Sequence, residues 1–198
     1  MLFNEYQELA WNTVNHDVDI VDNCIYGIHG ESGELVDLLK KIIFHKHPVD
    51  AEIRAKIRKE AGDVIWYCAV LAKKYMAGAK FADCWKNDPA EMLFEGFADI
   101  DTWYATNMDS LPPMSYEALA NKLGKAVIMV SAQVCVTASL KHPQPVTLHA
   151  IHSLVDSVGG VLACFGMKLD DAACENIEKL RARYGEKFST EASINRKD

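Results

Sequence analysis

Four carboxylates stand out for their spacing. Glu31 and Glu34 lie three residues apart in "GIHGESGELVDLLKKIIFHKHP" (27–48), and Glu60 and Asp63 repeat that spacing in "RKEAGDVIWYCAVL" (58–71). On a helix, residues three apart project as neighbours from one face. Two antiparallel helices joined by the short stretch from His45 to Asp50 would bring both pairs together. Acids so placed repel one another unless cations neutralise them, and an all-oxygen donor set suits Mg²⁺, with Mn²⁺ as a substitute. The plainer reading of a single Glu-x-x-Glu pair is a solvated helix face, because buried acids are rare. The glycines argue against it here: Gly30, Gly33 and Gly62 sit beside the acids, although each costs about 1 kcal/mol against alanine inside a helix. Room for a close approach would account for them.

The elements that must position these acids read as helices throughout. Apolar residues recur at three- and four-residue spacings, which predicts an all-α fold with helices at 3–15, 22–43, 50–76, 79–87, 91–106, 115–140, 147–166 and 170–184. Breaks fall at Pro48, Pro89, Pro112–Pro113, Pro143 and Pro145, where a helix cannot easily continue. "STEASINRKD" closes the chain as a polar tail. With 198 residues, 49% of them apolar, the chain has material for one compact domain or two small ones. A net charge of −7 with scattered Lys and Arg offers no basic surface for a nucleic acid. The six cysteines are isolated, with no Cys-x-x-Cys pair, and are expected to be reduced core thiols of a cytoplasmic protein. The start "MLFNEYQELAW" carries acids where a leader would be basic and then apolar. No uninterrupted apolar run approaches the roughly 20 residues of a membrane span, so neither secretion nor membrane insertion is expected.

The chain also repeats itself faintly. "WNTVNHD" at 11 is shadowed by "WYATNMD" at 103, "FHKHP" at 44 by "LKHPQP" at 140, and "AGDVIWYCAV" at 61 by "VGGVLACFGM" at 158. The offsets of 92, 95 or 96, and 97 drift as small loop insertions would require. At these offsets Glu31 and Glu34 fall opposite Ala126 and Met129, and Glu60 and Asp63 opposite Ser157 and Gly160. The apolar period survives in "LGKAVIMVSAQVCV" while every acid is lost, as expected where packing is needed and a cation is not.

"GESGELVDLLKK" followed by "KEAGDVIWY" resembles the MazG-like all-α nucleoside triphosphate pyrophosphohydrolases, whose signature is E-E-x-x-E, a spacer, and E-x-x-D. "FNEYQELA" looks like the first helix of that family and "NIEKLRARYGEKFS" (176–189) like its closing helix, so the likeness covers 3–76 and 170–193. Gly30 stands where the signature has its first Glu, a departure that bears on the number of metal ions.

The resemblance implies that Glu31, Glu34, Glu60 and Asp63 hold Mg²⁺ and that a nucleoside triphosphate is cleaved between its α- and β-phosphates. Bound Mg²⁺ would offset the charge that builds up during in-line attack of water on phosphorus, and Glu34 is the candidate to accept the water's proton. Tyr67, four residues past Asp63, matches a position where relatives stack a base. Core packing is the equal alternative for an aromatic ring. Lys40 and Lys41 are candidates for the phosphates. Asn176, Lys179 and Arg183 match polar positions near the nucleotide, though cations ending a helix also complement its dipole. Gln7 is a further nucleotide contact.

Two histidine pairs compete for attention. His149 and His152 are spaced for a metal but lack a third ligand nearby, so a helix face is expected; His45 and His47 belong to a turn. Clustered helix acids also build di-iron sites, which need Glu-x-x-His pairs that this chain lacks. The expected organisation is a catalytic repeat over 1–88 and a degenerate repeat over 89–198 that ends in the closing helix (170–188). Together they would form a covalent pseudo-dimer, as a monomer or a homodimer. A single domain with a helical insertion at 77–168 is the alternative organisation. A non-catalytic module that binds nucleotide or a protein partner is the alternative function.

Overall fold

The computed structural model describes residues 1–75, 115–140, 145–185 and 188–194. They form seven helices: α1 (Phe3–Asn12), α2 (Ile20–His45), α3 (Ala51–Tyr75), α4 (Tyr116–Leu140), α5 (Pro145–Cys164), α6 (Leu169–Tyr184) and α7 (Thr190–Ile194). No β-strand occurs among them, so the fold is all-α. The expected helices at 79–87 and 91–106, with Pro89, Pro112, Pro113, Pro143 and Cys84, lie outside the described residues. One local difference is the tail, where Thr190–Ile194 forms a short helix.

Each helix forms where period and capping agree. In α2 the buried residues Ile20, Cys24, Ile28, Ser32, Leu35, Leu39 and Ile42 recur every three to four positions, and Asp19 caps the helix by accepting from the Val21 and Asp22 amides at 2.9 and 3.1 Å. Lys46 ends it in the left-handed region at φ 56°, and Pro48 then lets the chain turn into α3. Pro145 opens α5, where its missing amide hydrogen costs nothing.

The packing places α3 at the centre. The α2–α3 hairpin lies against the α4–α5 hairpin, with α2 on α4 and α3 on α5, while α1 and α6 cover α3. Contacts on so many sides explain why α3 buries Ile57, Ala61, Val64, Ile65, Cys68, Ala69, Val70, Leu71 and Ala72 together. The window Thr147–Cys164 of α5 is apolar enough to cross a membrane by length and composition, with a mean hydropathy of 1.2. It is nevertheless 72% buried inside the protein and serves as a core helix. The described cysteines form no disulfide. Cys24 and Cys68 are core residues as expected, whereas Cys135 and Cys164 are exposed and Cys174 half-buried: they lie on helix faces that the core does not cover.

Gly62 permits a close approach of α3 to α6. A Cβ there would stand 2.7 Å from the backbone oxygen of Ala172 in α6 and 3.0 Å from the Asn176 Cβ. Gly124 in α4 has nothing within 4 Å of such an atom. Gly62→Ala is therefore expected to lower stability by about 1–3 kcal/mol through overpacking against backbone. Gly124→Ala is expected to raise it by up to about 1 kcal/mol. Thermal melts of the two variants should move in opposite directions from the wild type.

Candidate metal centre

The heights of the acids on the α2–α3 hairpin match. Counting back from the end of α2 at His45, Glu31 lies about 21 Å along the helix at 1.5 Å per residue; counting forward from the start of α3 at Ala51, Asp63 lies about 18 Å along. The hairpin thus sets Glu31 beside Glu60 and Asp63. One carboxylate oxygen from each of the three lies within 4.8 Å of the others. Glu34, one turn further along α2, is exposed and stands outside this group, at the rim of the same cavity.

Each acid is held differently. Asp63 Oδ1 accepts the Asn176 amide Nδ2 at 2.6 Å and also the Lys179 ammonium. The Asn176 amide is oriented from the other end, where the Tyr6 hydroxyl donates to its Oδ1 at 3.3 Å. Tyr6 is fully buried, and burial pushes its hydroxyl pKa well above the ordinary range, with Asp63 adding to the shift, so it stays a donor. Helices α1 and α6 therefore position one carboxylate on α3. Glu60 is 5% exposed. Its Oε1 takes the Lys59 ammonium at 2.9 Å, while Oε2 is buried with no hydrogen-bond partner. A buried carboxylate oxygen left unpaired is costly, and a cation shared with Glu31 and Asp63 would offset that cost. The donor set is all oxygen and sits on rigid helices, so the residues fit Mg²⁺ or Mn²⁺.

Glu31 senses the crowding most. Burial, then the charge of Asp63, then Glu60 and Glu34 raise its carboxyl pKa to about 7. Lys59 responds in the opposite sense to its own burial: Glu60, Asp63 and Glu31 hold its pKa above the usual lysine value.

Above the acids opens a cavity of about 650 Å³, within the range that small-molecule sites occupy. Glu31, Glu34, Lys59, Asp63 and Lys179 line its charged end. Trp66, Tyr67, Tyr184 and Phe188 supply aromatic wall, and Thr13, Asn15 and Asn23 supply polar groups. Tyr67 packs edge-on to Trp66 with ring centroids 4.9 Å apart, and Trp66 Nε1 donates to Thr13 Oγ1 at 3.0 Å. Gly27 makes space for the Tyr67 ring, since a Cβ there would lie 2.1 Å from the ring's Cζ.

The structure sorts the sequence candidates. Tyr67, Lys179 and Arg183 reach the cavity, and Asn176 touches Asp63 beneath it. Lys40 and Lys41 both pair with Asp37 and lie off the cavity. Gln7 is also away from it, buried with its Nε2 donating to the Ala69 carbonyl at 3.1 Å. The glycine reading divides. Gly62 serves a close helix contact, whereas a Cβ at Gly30 or Gly33 would have nothing within 4 Å and would face open space. His152 is buried beside Asp156 at 3.2 Å and His149 is exposed; neither joins a three-ligand group among the described residues. Lys59 escaped the sequence reading although it directly precedes Glu60, because an isolated lysine on a polar helix face carries no spacing signal. Asn15, Asn23 and Tyr184 escaped it because loop and helix-end residues meet here only through the tertiary fold.

The acids make stability depend on pH. Because the Glu31 pKa is raised in the folded chain, its contribution is fully present below its ordinary value near 4.5 and is lost as pH rises through about 7. Without divalent cations the melting temperature is expected to fall between pH 5 and pH 8, and Glu31→Gln to flatten that fall and raise the value at pH 8 by a few degrees. Mg²⁺ at about a hundredfold excess over its dissociation constant adds about 2.7 kcal/mol, which is about 5–10 °C for a chain of this size. The gain should be larger at pH 8 than at pH 5.5 and vanish in Asp63→Asn. Scanning calorimetry reads all of these.

Compared with models of known protein families, with curated proteins and with solved structures, the chain gives no match.

Proposed function

We propose that the chain is a divalent-cation-dependent nucleoside triphosphate pyrophosphohydrolase of MazG-like type, acting on a free deoxynucleotide of the cytoplasmic pool. The observation that carries this reading is the buried Glu60 Oε2, which no donor of the chain meets, within a three-carboxylate group whose Glu31 and Asp63 line a cavity with an aromatic wall. A purely structural acid cluster would pair that oxygen. A solvated face would not bury it.

Glu31, Glu60 and Asp63 would hold Mg²⁺, with Glu34 joining from the rim. When bound, the cation would offset negative charge on the phosphates and ease deprotonation of the attacking water. The chain's own residues do the rest. Tyr67 and Trp66 give a base an apolar surface on which to stack, and Asn15 and Asn23 offer amides to its edge. Arg183 and Lys179, at the cavity's charged end, draw in a polyanion. Asn176 and Tyr6 keep the Asp63 carboxylate fixed against its neighbours. In the reaction the water oxygen bonds to the α-phosphorus and the bond from that phosphorus to the α–β bridging oxygen breaks. The bridging oxygen leaves with its electron pair on pyrophosphate, and Glu34 takes the water's proton.

The second half supports a pseudo-dimer. The α4–α5 hairpin packs on α2–α3 like with like, and two of the four positions opposite the acids share their burial. Ser157, opposite buried Glu60, is 1% exposed, and Met129, opposite exposed Glu34, is 42% exposed. Ser157 turns its hydroxyl back to the Ser153 carbonyl at 2.7 Å, and Gly160 packs near Leu119. The dead half would thus be filled by packing. Five cysteines outside any disulfide among the described residues fit a reducing compartment.

Pyrophosphate release from a panel of deoxynucleoside triphosphates with Mg²⁺ tests the proposal. Glu34→Gln is expected to lower kcat about a hundredfold, the usual scale for losing a general base, and Asp63→Asn to abolish the Mg²⁺ dependence. Equal rates in wild type and variants, or nucleotide binding without turnover, would leave a non-catalytic nucleotide-binding module as the function.

A further inference from the structure

Lys59 meets Glu60 in a way that helix geometry does not favour. Adjacent residues on a helix point about 100° apart and do not face each other, yet the Lys59 ammonium lies 2.9 Å from Glu60 Oε1. The regular helical partner of Lys59 would be Asp63, four residues on. That carboxylate is taken from across the fold by Asn176 and Lys179, and Lys59 curls back over the residue next to it. Its side chain is 54% exposed and that of Glu60 only 7%, so an exposed stem carries its charge to a buried acid.

The whole cluster draws the ammonium there. Burial lowers the Lys59 pKa, but Glu60, Asp63 and Glu31 outweigh it and hold the value above that of an ordinary lysine. The two lysines at the acids differ in how firmly they are held. Lys179 is 26% exposed and shares Asp63 Oδ1 with the Asn176 amide, a contact fixed by the packing of α6 on α3. Lys59 lines the cavity above the acids and also a groove of about 620 Å³ between α2 and α3. A compact charge on a flexible stem with open space on both sides moves away at little cost.

We infer that Lys59 is the built-in counter-ion of the carboxylates and gives way when a divalent cation binds, so that this lysine sets how tightly the cation is held. The inference rests on the cation site of the reading above and not on the hydrolysis. An ammonium and a divalent cation repel when they share a carboxylate, so one must leave. Lys59 is also an incomplete substitute: it meets Oε1 of Glu60 and leaves Oε2 without a donor. When all three acids are ionised, the two lysines leave one negative charge uncompensated, whereas a divalent cation together with Lys179 balances them. The exchange keeps the acids from facing one another bare while the cation comes and goes.

Calorimetric titration with Mg²⁺ alone, in the absence of nucleotide, tests the exchange. Lys59→Met keeps the apolar stem and removes the charge, and its Mg²⁺ affinity is expected to rise at least tenfold. Without divalent cations its melting temperature at pH 8 is expected to fall below that of the wild type. Lys59→Gln should behave alike, whereas Lys56→Met, which removes a lysine paired with Glu52 at 2.6 Å, should change Mg²⁺ affinity less than twofold. Unchanged or weaker Mg²⁺ binding in the Lys59 variants, an equal rise in Lys56→Met, or a melting temperature at or above that of the wild type would overturn the inference. Absence of Mg²⁺ binding in the wild type and in both Lys59 variants would overturn it together with the cation site. A tenfold rise in a protein that releases no pyrophosphate from any nucleotide would keep the inference and reject the hydrolase, so the two failures are distinct.

Discussion

Carboxylates within 4.8 Å of one another repel, and the fold here consists largely of what holds them in place. Burial first, and then like charges at such a distance, disfavour ionisation, which Glu31 expresses in a carboxyl pKa raised to about 7. Only rigid elements can sustain that opposition. The long α2–α3 hairpin supplies them, and it is braced by a second hairpin on one side and by α1 and α6 on the other. The two lysines at the cluster divide the task. Lys179 meets Asp63 from across the fold, and Lys59 meets Glu60 from the next residue. That leaves Glu60 Oε2 buried without a donor, where a cation shared with Glu31 and Asp63 would offset the cost.

Much of this was legible in the sequence because it is periodic. The apolar spacing in α2, α3, α4, α5 and α6 placed their ends within a few residues, and the spacing of Glu31, Glu60 and Asp63 placed them on facing helices. What escaped was the part made by convergence. Gln7 and Asn176 are both polar residues on apolar helix faces, and nothing local told them apart. Tertiary packing sends Gln7 to a backbone carbonyl of α3 and Asn176 to Asp63. The pairing of Asp37 with Lys40 and Lys41, by contrast, follows from their spacing of three and four residues on one helix. The glycines were misleading in one respect. A glycine signals absence of a side chain, and the sequence cannot say whether a helix, as at Gly62, or empty space, as at Gly30, lies above it.

The aromatic wall shows how small residues fix large ones. Gly27 in α2 lets the Tyr67 ring lie against the helix backbone, and Thr13 takes the Trp66 indole hydrogen while bonding to the Ala10 carbonyl at 2.8 Å. Both rings are thus set by backbone and not by one another alone. A wall so anchored loses little freedom when a flat ligand arrives, which lowers the entropy cost of binding.

The closing helix has a consequence for how the site comes into being. α6 begins at Leu169, far along the chain from the hairpin that bears the acids, yet it carries the amide and the ammonium that meet Asp63. As the polypeptide emerges from its N-terminus, the acids and Lys59 are made well before the amide and ammonium that meet Asp63. A shortened product ending before Leu169 would contain every acid yet leave Asp63 without Asn176 and Lys179, so the site is completed only once α6 has been made.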